Sequence, residues 1–209
     1  MILKILLREI RYVFSVTKRF FISPKFPKNK DGKILIHIGC GDIKDSCFVN
    51  IDARPMEHIH YVTKNVDNLS FLPSKSVDLL YMCHVMEHFD RAKSVMVTKE
   101  CFRVLKHGGI LRISVPDFDR IVDIYLDNNR NMKAIIAPLF GGQDYEFNYH
   151  YNMFNRESLG ELFKQCGFRI TREWKPDDVQ YHKFDDWSRR KFSVDDKKYI
   201  ISLNLEAVK

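Results

Sequence analysis

Hydrophobic and polar positions alternate along this chain in blocks that predict strands and helices in turn. Residues 33–38, Lys-Ile-Leu-Ile-His-Ile, form an apolar run that stops at Gly39-Cys40-Gly41. A run of this length closed by glycines predicts a strand buried on both faces of a parallel sheet. Residues 48–51, ending at Asp52, predict a second strand, and residues 59–62 a third. Residues 77–83 read as a fourth, with a helix starting near 87–90. Helical spacing covers residues 92–105 and runs into Lys106-His107-Gly108-Gly109, a sequence suited to a helix C-cap. Residues 110–115 predict a fifth strand, ended by Pro116, and residues 118–128 another helix. A further helix over 155–166 has Asn155 or Ser158 near its cap and Gly167 to close it. Residues 168–174 and 199–208 supply the last strands. This alternation predicts an α/β fold with a doubly wound sheet.

Two stretches stand outside that rhythm. Residues 138–155 hold Gly141-Gly142 and a dense aromatic run, Tyr145, Phe147, Tyr149, His150, Tyr151 and Phe154; they read as a lid or acceptor-binding region whose rings suit a sugar. Residues 175–198 are polar with isolated aromatics and read as an insertion over the site or a mobile segment.

The first thirty residues form a separate arm. Lys4, Arg8, Arg11, Lys18 and Ser15 fall on one side of a predicted helix, with Leu3, Leu6, Leu7, Ile10, Val13 and Phe14 on the other. Charges recur too often for a signal peptide or a spanning helix. Such a helix suits an anionic membrane surface, its own domain, or a second copy of the chain. Pro24 and Pro27 then make a tether, which puts the boundary between arm (1–30) and main domain (31–209).

Charge sharpens this division. The net charge of +7 resides within residues 1–33, where nine Lys or Arg face two acidic residues; the other 176 residues balance. A basic arm on a neutral body argues against a broad nucleic-acid surface. Five cysteines without CxxC spacing predict neither a disulfide framework nor a zinc knuckle. Reduced thiols suit the cytoplasm, with peripheral membrane contact through residues 1–22 or self-association as the arm's expected uses.

The chemistry concentrates after the first strand. Gly39 and Gly41 allow a tight turn and close approach of a ligand, and a following helix would aim its amides at the same cleft. Asp52, beyond the second strand, is placed to accept hydrogen bonds from both ribose hydroxyls. A phosphate loop is missing, and Lys44 stands where a dinucleotide fingerprint has its third glycine, which disfavours NAD. The segment 84–88 reads His-Val-Met-Glu-His rather than HExxH, so no metal is expected. His84, Glu87, His88, Asp117 and His150 are the polar residues available beyond strand ends and in the aromatic run. His88 and His150 are candidate bases because imidazole titrates near neutrality; bracing a helix is the alternative for His88, and starting one is the alternative for Asp117.

Together the stretches 35–41, 49–52, 72–89, 100–109 and 111–117 resemble the class I S-adenosylmethionine-dependent methyltransferases, particularly small type 11-like members associated with glycan synthesis. The segments 145–151 and 158–163 extend the likeness to that group. The resemblance implies a Rossmann-like, mostly parallel seven-stranded sheet with an antiparallel last strand, and S-adenosylmethionine as cofactor. It implies that His37, Gly39, Cys40 and Gly41 lie beside the methionine portion, His37 standing where many relatives carry an acid. Asp52 is implied for the ribose, Asp67, Asn68 and Leu69 for the adenine, and Cys83 and His84 for the meeting point of cofactor and acceptor. The implied reaction is methyl transfer to a sugar or glycan hydroxyl; N- or phosphate-directed transfer and a catalytically silent member remain the alternatives.

Overall fold

The computed structural model describes residues 2–209, and the side chains of residues 10–19 and 21–209. Five parallel strands, β1 (Leu35–Ile38), β2 (Val49–Asp52), β3 (Tyr61–Val62), β4 (Val77–Cys83) and β5 (Leu105–Pro116), join β6 (Ile170–Glu173) and β9 (Ser202–Val208) in one sheet. Its order is β3-β2-β1-β4-β5-β9-β6, and β9 runs antiparallel to both neighbours. This is an α/β Rossmann-like fold, with the seven-stranded, mostly parallel sheet expected from the sequence. The order reverses between β1 and β4, which opens a crevice at their carboxyl ends.

The two faces of the sheet are covered differently. Ile36, Ile38, Leu80, Met82, Leu111 and Ile113 face α2 (Arg91–Val104) and α5 (Arg156–Gln165), whose Val97, Cys101, Leu159 and Phe163 complete the main core. Alternate residues Leu35, Phe48, Leu79 and Tyr81 face the other way, against Trp174, Val179, Tyr181 and Phe184. Irregular chain thus does there what helices do on the first face. The segment 175–198 is therefore built into the body, and its buried His182, Asp186 and Ser188 form a network on Tyr81. Tyr81 donates to Asp186 Oδ2 at 2.5 Å, and Ser188 Oγ to Oδ1 at 2.5 Å. Burial alone would raise the Asp186 carboxyl; hydrogen bonds from His182, Ser188 and Tyr81 outweigh it and hold it far below the usual carboxylate range.

Several expected elements differ. No helix follows Gly41: residues 39–48 turn straight into β2. Lys106–Gly109 is not a helix cap, because α2 ends at Val104 and the chain passes directly into β5, where Gly108 and Gly109 bond to Lys209. The single strand expected over 199–208 is broken at Ile201. Its first part, β8 (Lys197–Ile200), pairs with β7 (Lys191–Val194) in a hairpin turned at Asp195-Asp196. That hairpin packs Phe192, Val194 and Tyr199 on α3 (Phe118–Asp127). A short helix, α4 (Ile136–Phe140), runs into the start of the aromatic stretch. The cap expected near Asn155 forms as a box: Asn155 accepts from Ser158 N while Ser158 Oγ accepts from Asn155 N, both at 3.0 Å.

The arm's helix, α1 (Ile2–Phe21), docks on the loop after β2. Among the described residues no helix is long and apolar enough to cross a membrane.

Candidate active site

The crevice at the ends of β1, β2 and β4 is a pocket. Its floor is Ile38, Gly39, Ile51 and Asp52; its walls are Arg54, Thr63 and Val66 on one side and His84, Val85 and His88 on the other; Tyr145, Phe147, Tyr149 and Tyr151 rim it. The turn after β1 requires its first glycine. Gly39 has φ +64°, and a Cβ there would meet Val85 Cγ2 at 2.4 Å. Gly41, at φ +55°, donates its N–H to Asp52 Oδ2 at 2.9 Å. The other oxygen accepts from Arg54 N at 2.9 Å and Nε at 3.2 Å. One carboxylate therefore ties the β1 turn to the β2 turn, and Arg54, two residues on, is a wall residue that sequence reading missed.

The aromatic segment at the rim is held by cations from the β2–β3 region. Lys64 pairs with Glu146 at 3.2 Å and lies 4.7 Å from the Phe147 ring, while Arg54 sits 5.8 Å from the Tyr145 ring. Residues 145–151 thus border the pocket on its outer side.

A cluster of histidines surrounds Glu87 at the end of β4. His84 adopts φ +52°, a conformation costly for a residue with a Cβ, which turns its side chain back into the molecule. Ser202 Oγ donates to Trp187 O at 2.6 Å, so it must accept from His84 Nε2–H at 2.8 Å. That leaves the His84 Nδ1 lone pair facing Glu87 Oε1 at 3.4 Å. His150 Nδ1 donates to Pro138 O at 3.0 Å, and its Nε2 faces Glu87 Oε1 at 4.0 Å. His88 Nδ1 donates to Tyr149 O at 2.9 Å, which places its lone pair on Nε2.

Glu87 is 1% exposed, and neither carboxyl oxygen has a hydrogen-bond partner. Burial pushes its carboxyl up to about 8. Burial likewise lowers His84 to about 3 and His150 to about 4, and lowers His88. Glu87 thus keeps its proton among neutral imidazoles, with the lone pairs of His84 and His150 turned toward it without a hydrogen bond. Ligand-type atoms of Glu87, His88 and His150 come within 4.8 Å of one another, the one such group among the described residues. That is wider than the roughly 3.5 Å between neighbouring ligands of a tetrahedral ion with bonds near 2.1 Å.

Other expected site residues lie elsewhere. His37 is buried on the opposite sheet face, its ring stacked on Phe184 at 5.5 Å, and burial lowers it to about 3. Strand alternation turns it away from the pocket. Cys40 packs with Met56, Ile59 and Tyr12, and Cys83 packs on the Tyr81 side, where burial pushes its thiol up. Leu69 is a core residue whose N–H is held by Glu100 at 2.6 Å. Asp67, paired with Lys93 at 3.5 Å, and exposed Asn68 follow the wall residue Val66 without lining the pocket. Asp117 caps α3, accepting from Asp119 N at 3.2 Å and pairing with Arg120 at 3.1 Å. His150 sits behind His88, ring centroids 4.9 Å apart, rather than in the pocket. Of the expected residues, the pocket therefore brings together Gly39, Asp52, His84 and His88, with Gly41 bound to Asp52 behind them.

The glycine turn is thus pinned by an acid across the crevice where the sheet order reverses. The methyltransferase domain family matches residues 37–113. A probable S-adenosylmethionine-dependent methyltransferase of Mycolicibacterium smegmatis is 27% identical over 157 residues, 66% of this chain. The chain spans 53% of that relative's length. A possible histamine N-methyltransferase from Thermotoga maritima superposes over 95% of this chain and 89% of its own, with a TM-score of 0.52 at 16% identity. An S-adenosylmethionine-dependent methyltransferase from Archaeoglobus fulgidus does so over 95% and 94%, with a TM-score of 0.52 at 17% identity. The structural likenesses speak for the fold. The family match places a methyltransferase-domain sequence pattern over residues 37–113, the stretch that holds the β1 turn, Asp52 and the end of β4.

Proposed function

We propose that the chain, with residues 31–209 as its catalytic domain and 1–30 as an accessory arm, transfers a methyl group from S-adenosylmethionine to a hydroxyl of a small sugar-like or glycan-linked acceptor. The observation that carries this is the Gly39–Asp52–Arg54 turn pair opening directly onto an aromatic rim. In this reading Gly39 and Gly41 leave room for the methionine portion, Asp52 accepts the ribose hydroxyls, and the 66–68 loop borders the adenine. Bound there, the cofactor supplies an electrophilic methyl on its sulfonium. The protein's part is to hold the acceptor in line, exclude water and accept a proton.

Tyr145, Tyr149 and Tyr151 offer faces on which a sugar ring stacks and hydroxyls that orient it. His88 is the base of this reading, because it lines the pocket and keeps its Nε2 lone pair. His84 is not, since its lone pair is turned inward to Glu87. His150 and Glu87 hold the protonation state of the group behind His88.

A thermal-shift panel tests the cofactor half: stabilisation by S-adenosylmethionine and S-adenosylhomocysteine but not by NAD is expected, and stabilisation by NAD alone rejects it. Turnover on hydroxyl-bearing sugars, amines and phosphates then separates O-directed from N- or phosphate-directed transfer, and cofactor binding without turnover identifies a silent member. His88→Ala is expected to abolish the acidic limb of the pH–rate profile, where a base is lost to protonation, while His150→Ala shifts it; wild-type profiles for both would remove the histidines from the mechanism.

A further inference from the structure

The orientation of α1 reverses the usual arrangement of an amphipathic helix. Its polar side faces the body: Ser15 Oγ accepts from Glu57 N at 2.9 Å, Lys18 pairs with Glu57 at 2.7 Å, Arg19 Nε donates to Ile59 O at 3.1 Å, and Tyr12 packs on Met56 and Ile59. Its apolar side faces outward, with Ile10, Val13, Phe14 and Phe21 between 55% and 84% exposed. These residues recur at helical spacing, so they form one stripe. Ile22 and Phe26, also more than half exposed, continue the apolar surface beyond the helix end. Contiguous apolar surface of this kind calls for a cover.

Charge decides which cover fits. The arm holds the chain's whole excess of positive charge, nine basic against two acidic residues within 1–33. Two such arms face to face would repel one another, whereas an anionic lipid surface attracts the exposed Lys25, Lys28 and Lys30 and takes up the apolar stripe together. The helix is twenty residues long and carries Lys4, Arg8, Glu9, Arg11, Lys18 and Arg19, too many charges for a span, so it would lie in the interface rather than cross it.

We propose that α1 is a membrane-docking face, anchored to the protein by its polar side and inserting Ile10, Val13, Phe14 and Phe21 at the headgroup level of an anionic bilayer. The proposal does not depend on the transferase reading. The loop that carries α1 also carries Arg54, so docking places the pocket wall near the lipid surface.

Co-sedimentation of the full chain with phosphatidylcholine vesicles, with and without about one-third phosphatidylserine, tests it. Binding is expected only to the anionic vesicles and should weaken at high salt. Phe14→Glu is expected to lower partitioning on the order of tenfold or more at unchanged melting temperature, because that side chain makes little contact with the body. Replacing Lys25, Lys28 and Lys30 by Gln should lower it as well. Failure to bind anionic vesicles, or equal binding to neutral ones, would overturn the proposal. So would a concentration-dependent doubling of mass in light scattering that Phe14→Glu abolishes, since that outcome assigns the face to a second copy.

Discussion

Asp52 shows how a single side chain joins two turns at the floor of the pocket. Both its oxygens are occupied by neighbours, Gly41 N–H and Arg54, so its orientation is set before any ligand arrives. Asp52→Ala is expected to weaken S-adenosylmethionine binding by roughly tenfold or more, the value of charge-assisted hydrogen bonds, in calorimetry. Gly39→Ala acts through the backbone instead. Its φ of +64° and the 2.4 Å contact with Val85 should cost at least about 1 kcal/mol of stability in urea denaturation.

Glu87 yields a pH prediction with a definite sign. With its carboxyl at about 8 in the folded state, against the ordinary 4.5, the native protein binds more protons than the unfolded chain between those values. Stability therefore falls with rising pH across that window. His84 and His150, lowered to about 3 and about 4, act oppositely: their contribution is present above the ordinary 6.5 and is lost as pH falls through the folded values. Comparing wild type with Glu87→Gln isolates the carboxyl. The variant should gain relative stability steadily from about pH 4.5 to 8; a pH-independent difference would mean that Glu87 does not hold its proton there.

At the scale of elements, the β5–β9–β6 edge is joined by a charged ladder across the register. Arg112 and Glu206 are direct partners, bonded at 2.7 Å and nearly inaccessible, and Arg172 reaches the other Glu206 oxygen at 2.9 Å. Removing one member leaves its partner's charge uncompensated inside the protein. Glu206→Leu should cost about 3–5 kcal/mol, and pairing it with Arg112→Met should restore much of the loss, measured by denaturant midpoint. The hairpin β7–β8 and the 175–190 segment were illegible as elements because their burial comes from distant partners. Phe184 packs on His37 and Phe48, and Phe192 packs beside Ile121; a polar local sequence with single aromatics carries no period that announces either contact.

Across the whole molecule, charge and chemistry are separated. The neutral body holds the pocket, and the basic arm holds the charge. Cutting away residues 1–33 should lower the salt needed to elute the protein from a cation exchanger to near that of an uncharged protein, provided that the remainder stays folded by circular dichroism. Retention at the full-length value would mean that the body presents a basic face of its own.

The strands of the parallel sheet were legible because each is a short apolar run bounded by turn residues. The glycine turn and Asp52 were legible because they fall where two such runs end. Asn155 was readable as a cap for the same reason: the interactions involved are local, and local order is written in spacing. His37, Cys40 and Cys83 sit beside or within those strands, yet the face each presents follows from strand alternation and from what covers the sheet, which composition does not reveal. His150 approaches His88 only because the aromatic stretch folds back over β4. Tertiary structure alone also decided that the apolar side of α1 faces outward: amphipathicity specifies two faces, and only the partners of Ser15, Lys18 and Arg19 specify which one the body takes.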